Sequence, residues 1–134
     1  MDLFQRADIM MKQLFIAGLG GFVGTAFRFL ISRYFQLNLP TDFPWGTFAI
    51  NILGSFLIGL FYGLSEKEDF MSPDLRLFLT VGICGGFTTF STFSNESLTL
   101  LQNKDFLNLS LYVGLSFFLG IAAVYVGRQL VKAA

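Results

Sequence analysis

Gly82-Ile83-Cys84-Gly85-Gly86-Phe87-Thr88-Thr89-Phe90-Ser91-Thr92-Phe93-Ser94 is the poorest helix-forming segment in an otherwise strongly apolar chain. It falls in the middle of an apolar stretch running from about Leu75 to Leu101. Three glycines and clustered β-branched threonines disfavour a continuous helix, so a break is expected between Gly85 and Thr89. If that stretch crosses a membrane, the backbone groups freed by the break need buried partners. Two readings meet that need. One is a tight helix crossing at a kink, with Ser and Thr bonding back to the backbone. The other is an ion site of the kind formed by half-helix ends at membrane depth, with backbone carbonyls holding a monovalent cation.

Working outward, a helix needs about 20 apolar residues to cross the hydrocarbon, and three more stretches qualify. They run from about Gln13 to Phe35, from about Phe43 to Leu64 and from about Phe106 to Leu130. Polar breaks separate the spans: Asn38 to Pro44, Ser65 to Asp74 (with Glu66, Lys67, Glu68, Asp69 and Pro73) and Gln102 to Asp105. Ser72 followed by Pro73 marks the start of the third helix. The composition agrees, with 54% hydrophobic residues, 13% charged residues and 18 Phe in 134 residues. Soluble domains carry roughly 25% charged residues. The expected fold is therefore an all-α membrane protein of four transmembrane helices in a single domain over residues 1–134, with the third helix broken at its centre. Met1 to Lys12 is expected to be a short polar lead, without the small-residue cleavage pattern of a removable signal peptide.

The same composition excludes several kinds of chemistry. With no His and one Cys, imidazole catalysis, a multi-cysteine metal cluster and an internal disulfide are ruled out. The 9 basic and 9 acidic residues cancel, which leaves no basic face for nucleic acid. No convergent nucleophile, base and metal set marks an enzyme. Topology is weakly specified. Arg6, Lys12, Lys67, Arg76, Arg128 and Lys132 fall on the side of the termini, and Arg28, Arg33 and Lys104 on the other. The bias favours a cytoplasmic N-terminus, yet a chain so evenly charged can insert either way.

Polar residues inside spans are the candidates for function. Arg28 lies on one helical face with Gly20 and Gly24. It is either an Arg reaching the interface or a cation at the mouth of an anion path. Asn51 shares a face with Thr47 and Ser55, as interhelical glue or as a pore-lining donor. Phe90 and Phe93 share a face just past the break, with Thr89 and Thr92 beside them. Aromatic rings carry a positive edge, so such rings can favour a small anion without a full charge. Tyr112, Ser116 and Gly120 form a narrow stripe on the fourth span. Glu96, the only carboxylate well inside a span, is a candidate proton carrier, a cation partner or part of a wet vestibule.

Three segments together resemble the CrcB/Fluc fluoride channel family. They are Gly20-Gly21-Phe22-Val23-Gly24-Thr25-Ala26-Phe27-Arg28-Phe29, Trp45-Gly46-Thr47-Phe48-Ala49-Ile50-Asn51-Ile52-Leu53-Gly54-Ser55-Phe56, and the segment quoted first, continued through Asn95-Glu96. The resemblance spans essentially the whole chain. It implies an antiparallel, dual-topology homodimer in the bacterial cell membrane with two pores. It also implies that Asn51, Phe90 and Phe93 meet fluoride, and that Thr92, Tyr112 and Ser116 belong to a track of hydroxyl and aromatic groups. It makes Arg28 a vestibule residue, and Gly85 and Thr88 the carbonyl ligands of a central structural Na+. One departure stands out, because Gly120 occupies a position where family members often carry Ser.

The expected function is passive, fluoride-selective flow. Fluoride is small and strongly hydrated, so many weak donors can replace its water while a fixed cation at the constriction would trap it. The main rival is a small proton-coupled exporter of drugs or metabolites, with Glu96 as its acid. A further rival is an assembly subunit that passes nothing. On sequence alone, Phe90→Ile and Asn51→Asp are both expected to cripple flux without unfolding the dimer.

Overall fold

The computed structural model describes residues 1–67 and 70–134, so Glu68 and Asp69 of the loop after the second span lie outside the described residues. Four helical spans follow one another: α1 (Leu3–Asn38), α2 (Trp45–Ser65), an interrupted third span over Pro73–Gln102, and a last helix over Phe106–Ala133. The third span consists of α3 (Pro73–Leu77), a wide π-helical stretch (Phe78–Cys84), α4 (Gly85–Phe87), two extended residues, and α5 (Phe90–Gln102). The fourth span is α6.

The helix starts follow from local chemistry. Asp2 accepts from the Gln5 backbone N–H at 2.8 Å, and the Gln5 side chain accepts from the Asp2 N–H at 3.0 Å, a reciprocal capping box. Helix therefore begins at Leu3 and takes in most of the expected polar lead, which is a correction to the sequence reading. Its 36 residues extend roughly 54 Å at 1.5 Å per residue, well beyond a hydrocarbon core of about 30 Å. Ser72 caps α3 as expected, accepting from the Leu75 N–H at 3.1 Å, with Pro73 in the first turn. Asp105 accepts from the Asn108 N–H at the start of α6.

Small residues set the closest approaches. A side chain at Gly24 would run into the carbonyl of Ile83 and the nitrogen of Phe87, and one at Gly20 would meet the Phe78 carbonyl and Gly82 Cα. Thus α1 and the first half of the third span touch backbone to backbone. The α2–α6 crossing is built the same way, with Gly59 against the Val124 carbonyl and Gly127 against the Phe56 carbonyl. At the loop end of α2, Phe43, Leu100 and Tyr112 pack with Phe48, Phe93 and Leu109 into a small aromatic core.

Elsewhere the spans turn apolar side chains outward, Phe22, Phe29, Phe117 and Phe118 among them. Such a surface suits lipid and is far larger than the patches soluble monomers expose. Lys12 pairs with Asp74 at 2.9 Å and Arg128 with Glu66 at 2.6 Å. Both pairs tie together segments that an even number of crossings places on one side.

Candidate functional site

The break in the third span falls at Thr88 and Thr89, both extended (φ −84°, ψ 156° and φ −146°, ψ 119°). This is within the expected window, but the glycines are not the broken residues. Gly85 and Gly86 remain helical, and a side chain at Gly86 would collide with the backbone of Gly21. Glycine here serves the crossing with α1, and the threonines supply the interruption. Thr88 ends the first half, its Oγ1 donating to the Cys84 carbonyl at 2.9 Å. Thr89 starts the second half as N-cap, its Oγ1 accepting from the Thr92 N–H at 3.2 Å.

Neighbouring spans close the polar groups so opened. Asn51 grips Thr89 at both ends of its amide. Nδ2 donates to the Thr89 carbonyl at 3.0 Å, and Oδ1 accepts from the Thr89 N–H at 2.8 Å. Because one side of the pair is an N–H and the other a carbonyl, the amide orientation is fixed. Arg28 Nε donates to the Gly86 carbonyl at 3.0 Å, assisted by Thr25 Oγ1 at 3.4 Å. A cation at a helix C-terminus is favourable. Arg28 is therefore bound to the break through its Nε.

Two carbonyls keep less. The Thr89 N–H, which would serve the Gly85 carbonyl in a continuous helix, goes to Asn51. The Thr92 N–H, which would serve Thr88, goes to the Thr89 hydroxyl. Gly85 lies exposed on the open face of the span.

Around the break runs a groove of about 600 Å³ whose walls include Asn51, Ser55, Gly85, Thr88, Thr89, Phe90, Phe93 and Ser116. Phe90 projects into the open, 80% exposed. Phe93 lies against it at 5.9 Å between centroids and against Tyr112 at 4.9 Å. Tyr112 is fully buried with Thr47 and Glu96 close to its hydroxyl, and neither that hydroxyl nor the enclosed Ser116 hydroxyl makes a well-formed hydrogen bond among the described residues. An unpartnered buried hydroxyl costs about 1–3 kcal/mol, so two of them one turn apart call for an explanation. Thr92 Oγ1 accepts from Thr89 Oγ1 at 3.1 Å. The structure thus brings Asn51, Phe90, Phe93, Thr92, Tyr112 and Ser116 to one region, while Arg28 holds its opposite flank through Gly86.

Glu96 and Thr47 form a link that the sequence reading left unconnected. Thr47 Oγ1 donates to Glu96 Oε1 at 2.5 Å, beside a second hollow of about 220 Å³ lined by the α1–α2 loop. The Thr47–Asn51 spacing held the signal. Two polar residues one turn apart on α2 meet Glu96 and Thr89, so rising numbers on α2 face falling numbers on α5. The antiparallel register pairs them.

Fold and site together define a small multi-pass membrane protein with a hydroxyl-bearing groove beside a broken helix. Residues 15–128 match the profile of the family described as "CrcB-like protein, Camphor Resistance (CrcB)". The chain is 46% identical over 122 residues to the "Fluoride-specific ion channel FluC" of Flavobacterium psychrophilum, covering 91% of this chain and 98% of that one. It is 49% identical over 117 residues to the protein of the same name from Phocaeicola vulgatus, covering 87% and 96%. With the Bacteroides fragilis protein of that name it shares 47% over 123 residues, covering 90% and 96%. The chain belongs to the CrcB family. The names of these three relatives describe ion channels, not enzymes.

Proposed function

We propose that this chain is a fluoride-selective channel of the bacterial cell membrane, passing the ion down its electrochemical gradient and so lowering cytoplasmic fluoride. The observation that carries the reading is the pair of enclosed, unpartnered hydroxyls on Tyr112 and Ser116 beside the rings of Phe93 and Phe90. A hydroxyl without an acceptor is a donor in waiting, and a ring edge is weakly positive. Together they can replace the water of a small anion one contact at a time. Asn51, with its amide pinned on Thr89, and Thr92, tied to Thr89, stiffen the same wall. The guanidinium of Arg28, held at Gly86, stays at the flank as a source of positive potential, away from the narrow point.

The working unit is an antiparallel homodimer inserted in both orientations, with two pores. The small margin in Lys and Arg between the two sides supports this, as does the exposure of Phe90 on a face that one subunit leaves open. A structural Na+ at the dimer centre fits the donor set. The Gly85 and Thr88 carbonyls have both lost their helical N–H donors, and hard cations favour such oxygens. A pair from each protomer would hold the ion, whose charge would bias the local potential toward anions.

The exporter alternative needs a titratable acid at the membrane midplane. Glu96 instead accepts from Thr47 beside the α1–α2 loop, roughly two turns past the break. The test is efflux from liposomes loaded with fluoride or chloride. The expected result is fast fluoride efflux that needs no proton gradient, with chloride retained. Equal passage of the two halides would end the selectivity claim, and uphill fluoride movement driven by protons would favour the exporter.

A further inference from the structure

On α6, Tyr112, Ser116 and Gly120 follow one another at one-turn intervals, and Ser116 lines the groove. The first two carry enclosed hydroxyls without partners, and the third carries nothing. A row of donors for an ion therefore stops where α2 and α6 draw together toward the Gly59–Val124 and Gly127–Phe56 contacts. The register of that crossing sets Ser55 of α2 opposite Gly120. Ser55 Oγ is 3.7 Å from where a β-carbon of residue 120 would stand, and it is the nearest atom to that point. The same side chain lines the groove together with Asn51 and Ser116. Among the described residues no side-chain hydrogen bond engages its hydroxyl.

We propose that Ser55 supplies the third hydroxyl of the ion's path, delivered from α2 across the bare Gly120. This rests on the fluoride-channel reading above and adds a residue to it. A donor at this position acts on the passing ion from α2 and not from α6, and the two origins are interchangeable because both reach the same small volume. Gly120 has room for the exchange: a β-carbon there would be in ordinary van der Waals contact with Ser55 and with no backbone atom.

The experiment compares fluoride efflux from liposomes for the wild type, Ser55→Ala, Gly120→Ser and the double variant, with the elution volume of each in detergent as a check on assembly. Losing one hydrogen bond to an anion is expected to slow efflux about tenfold in Ser55→Ala. Gly120→Ser alone is expected to stay within about threefold of wild type, and the double variant to recover to the same range, since the lost hydroxyl is replaced from the other helix. Ser55→Ala running at wild-type speed overturns the proposal. So does a slow double variant with unchanged elution, which would make Ser55 a packing residue, and so does a collapse in Gly120→Ser alone, which would mean the position is closed. A wild type that passes no fluoride would instead sink the channel reading, and the same run distinguishes the two failures.

Discussion

Residues 73–87 and Phe90–Gln102 belong to one membrane crossing, yet they meet their neighbours in opposite ways. The first half lies backbone to backbone on α1. Gly20 and Gly24 face Gly82 and Ile83, and Gly86 faces Gly21. Its end is closed by Arg28 and Thr25. The second half carries hydroxyls bonded within its own helix and rings at its leading end, where Phe90 is largely uncovered. Glycine contact makes the first half a fixed support. That support lets the second half keep the ring of Phe90 uncovered, which a mobile helix would soon bury or turn away. Site precision of this kind depends on a rigid supporting shell.

The contrast can be tested by striking each half in turn. Gly24→Val drives a branched side chain into the Ile83 carbonyl and should destabilise the fold by about 3 kcal/mol. The check is the fraction of protein recovered as a single species on size exclusion in detergent, and near-normal recovery would show that the seam is looser than described. Asn51→Asp comes next. A carboxylate facing the Thr89 carbonyl loses a donor and repels the oxygen, so stability should fall by roughly 2 kcal/mol in thermal unfolding, and fluoride efflux should fail as well. Phe90→Ile touches only the open half, and efflux is expected to drop about a hundredfold with no change in melting temperature. A matching loss of stability in Phe90→Ile would erase the distinction between the halves. The smallest effect belongs to Tyr112→Phe. Efflux should slow about tenfold, while thermal stability rises by roughly 1 kcal/mol because a buried unpaired hydroxyl is removed. Improved folding with poorer transport would identify that hydroxyl as one kept for function.

The four spans, the interrupted third helix and the Ser72 cap were legible in the sequence because each rests on a local property: apolar run length, helix propensity, or a capping residue before proline. The site was legible in its membership but not in its wiring. Asn51 and Phe90 look equivalent on paper, and only the antiparallel register shows that Asn51 holds the broken backbone while Phe90 stands clear. Arg28 was read as an interfacial cation or a cation at the mouth of a path, and the structure fastens its Nε to Gly86. A charged group in an apolar helix announces that it needs a partner but does not name it, since the partner lies 58 residues away. The glycines of the break are compatible on paper with both an interruption and a tight crossing, and the structure gives them the crossing. Low helix propensity and close approach leave the same residue in the sequence, and only the neighbouring helix tells them apart. The early start of α1 rests on a local signal as well: the Asp2–Gln5 box makes a charged stretch helical that polarity alone marks as a lead.

The overhang of α1 has a practical use. Lys12 is moored to Asp74 near the polar loop, so the turns before it form a stiff mast standing off the headgroups. A cleavable epitope fused at its tip would be reachable from one face of a sealed vesicle only. Digestion from outside would then count how many copies point each way, subunit by subunit.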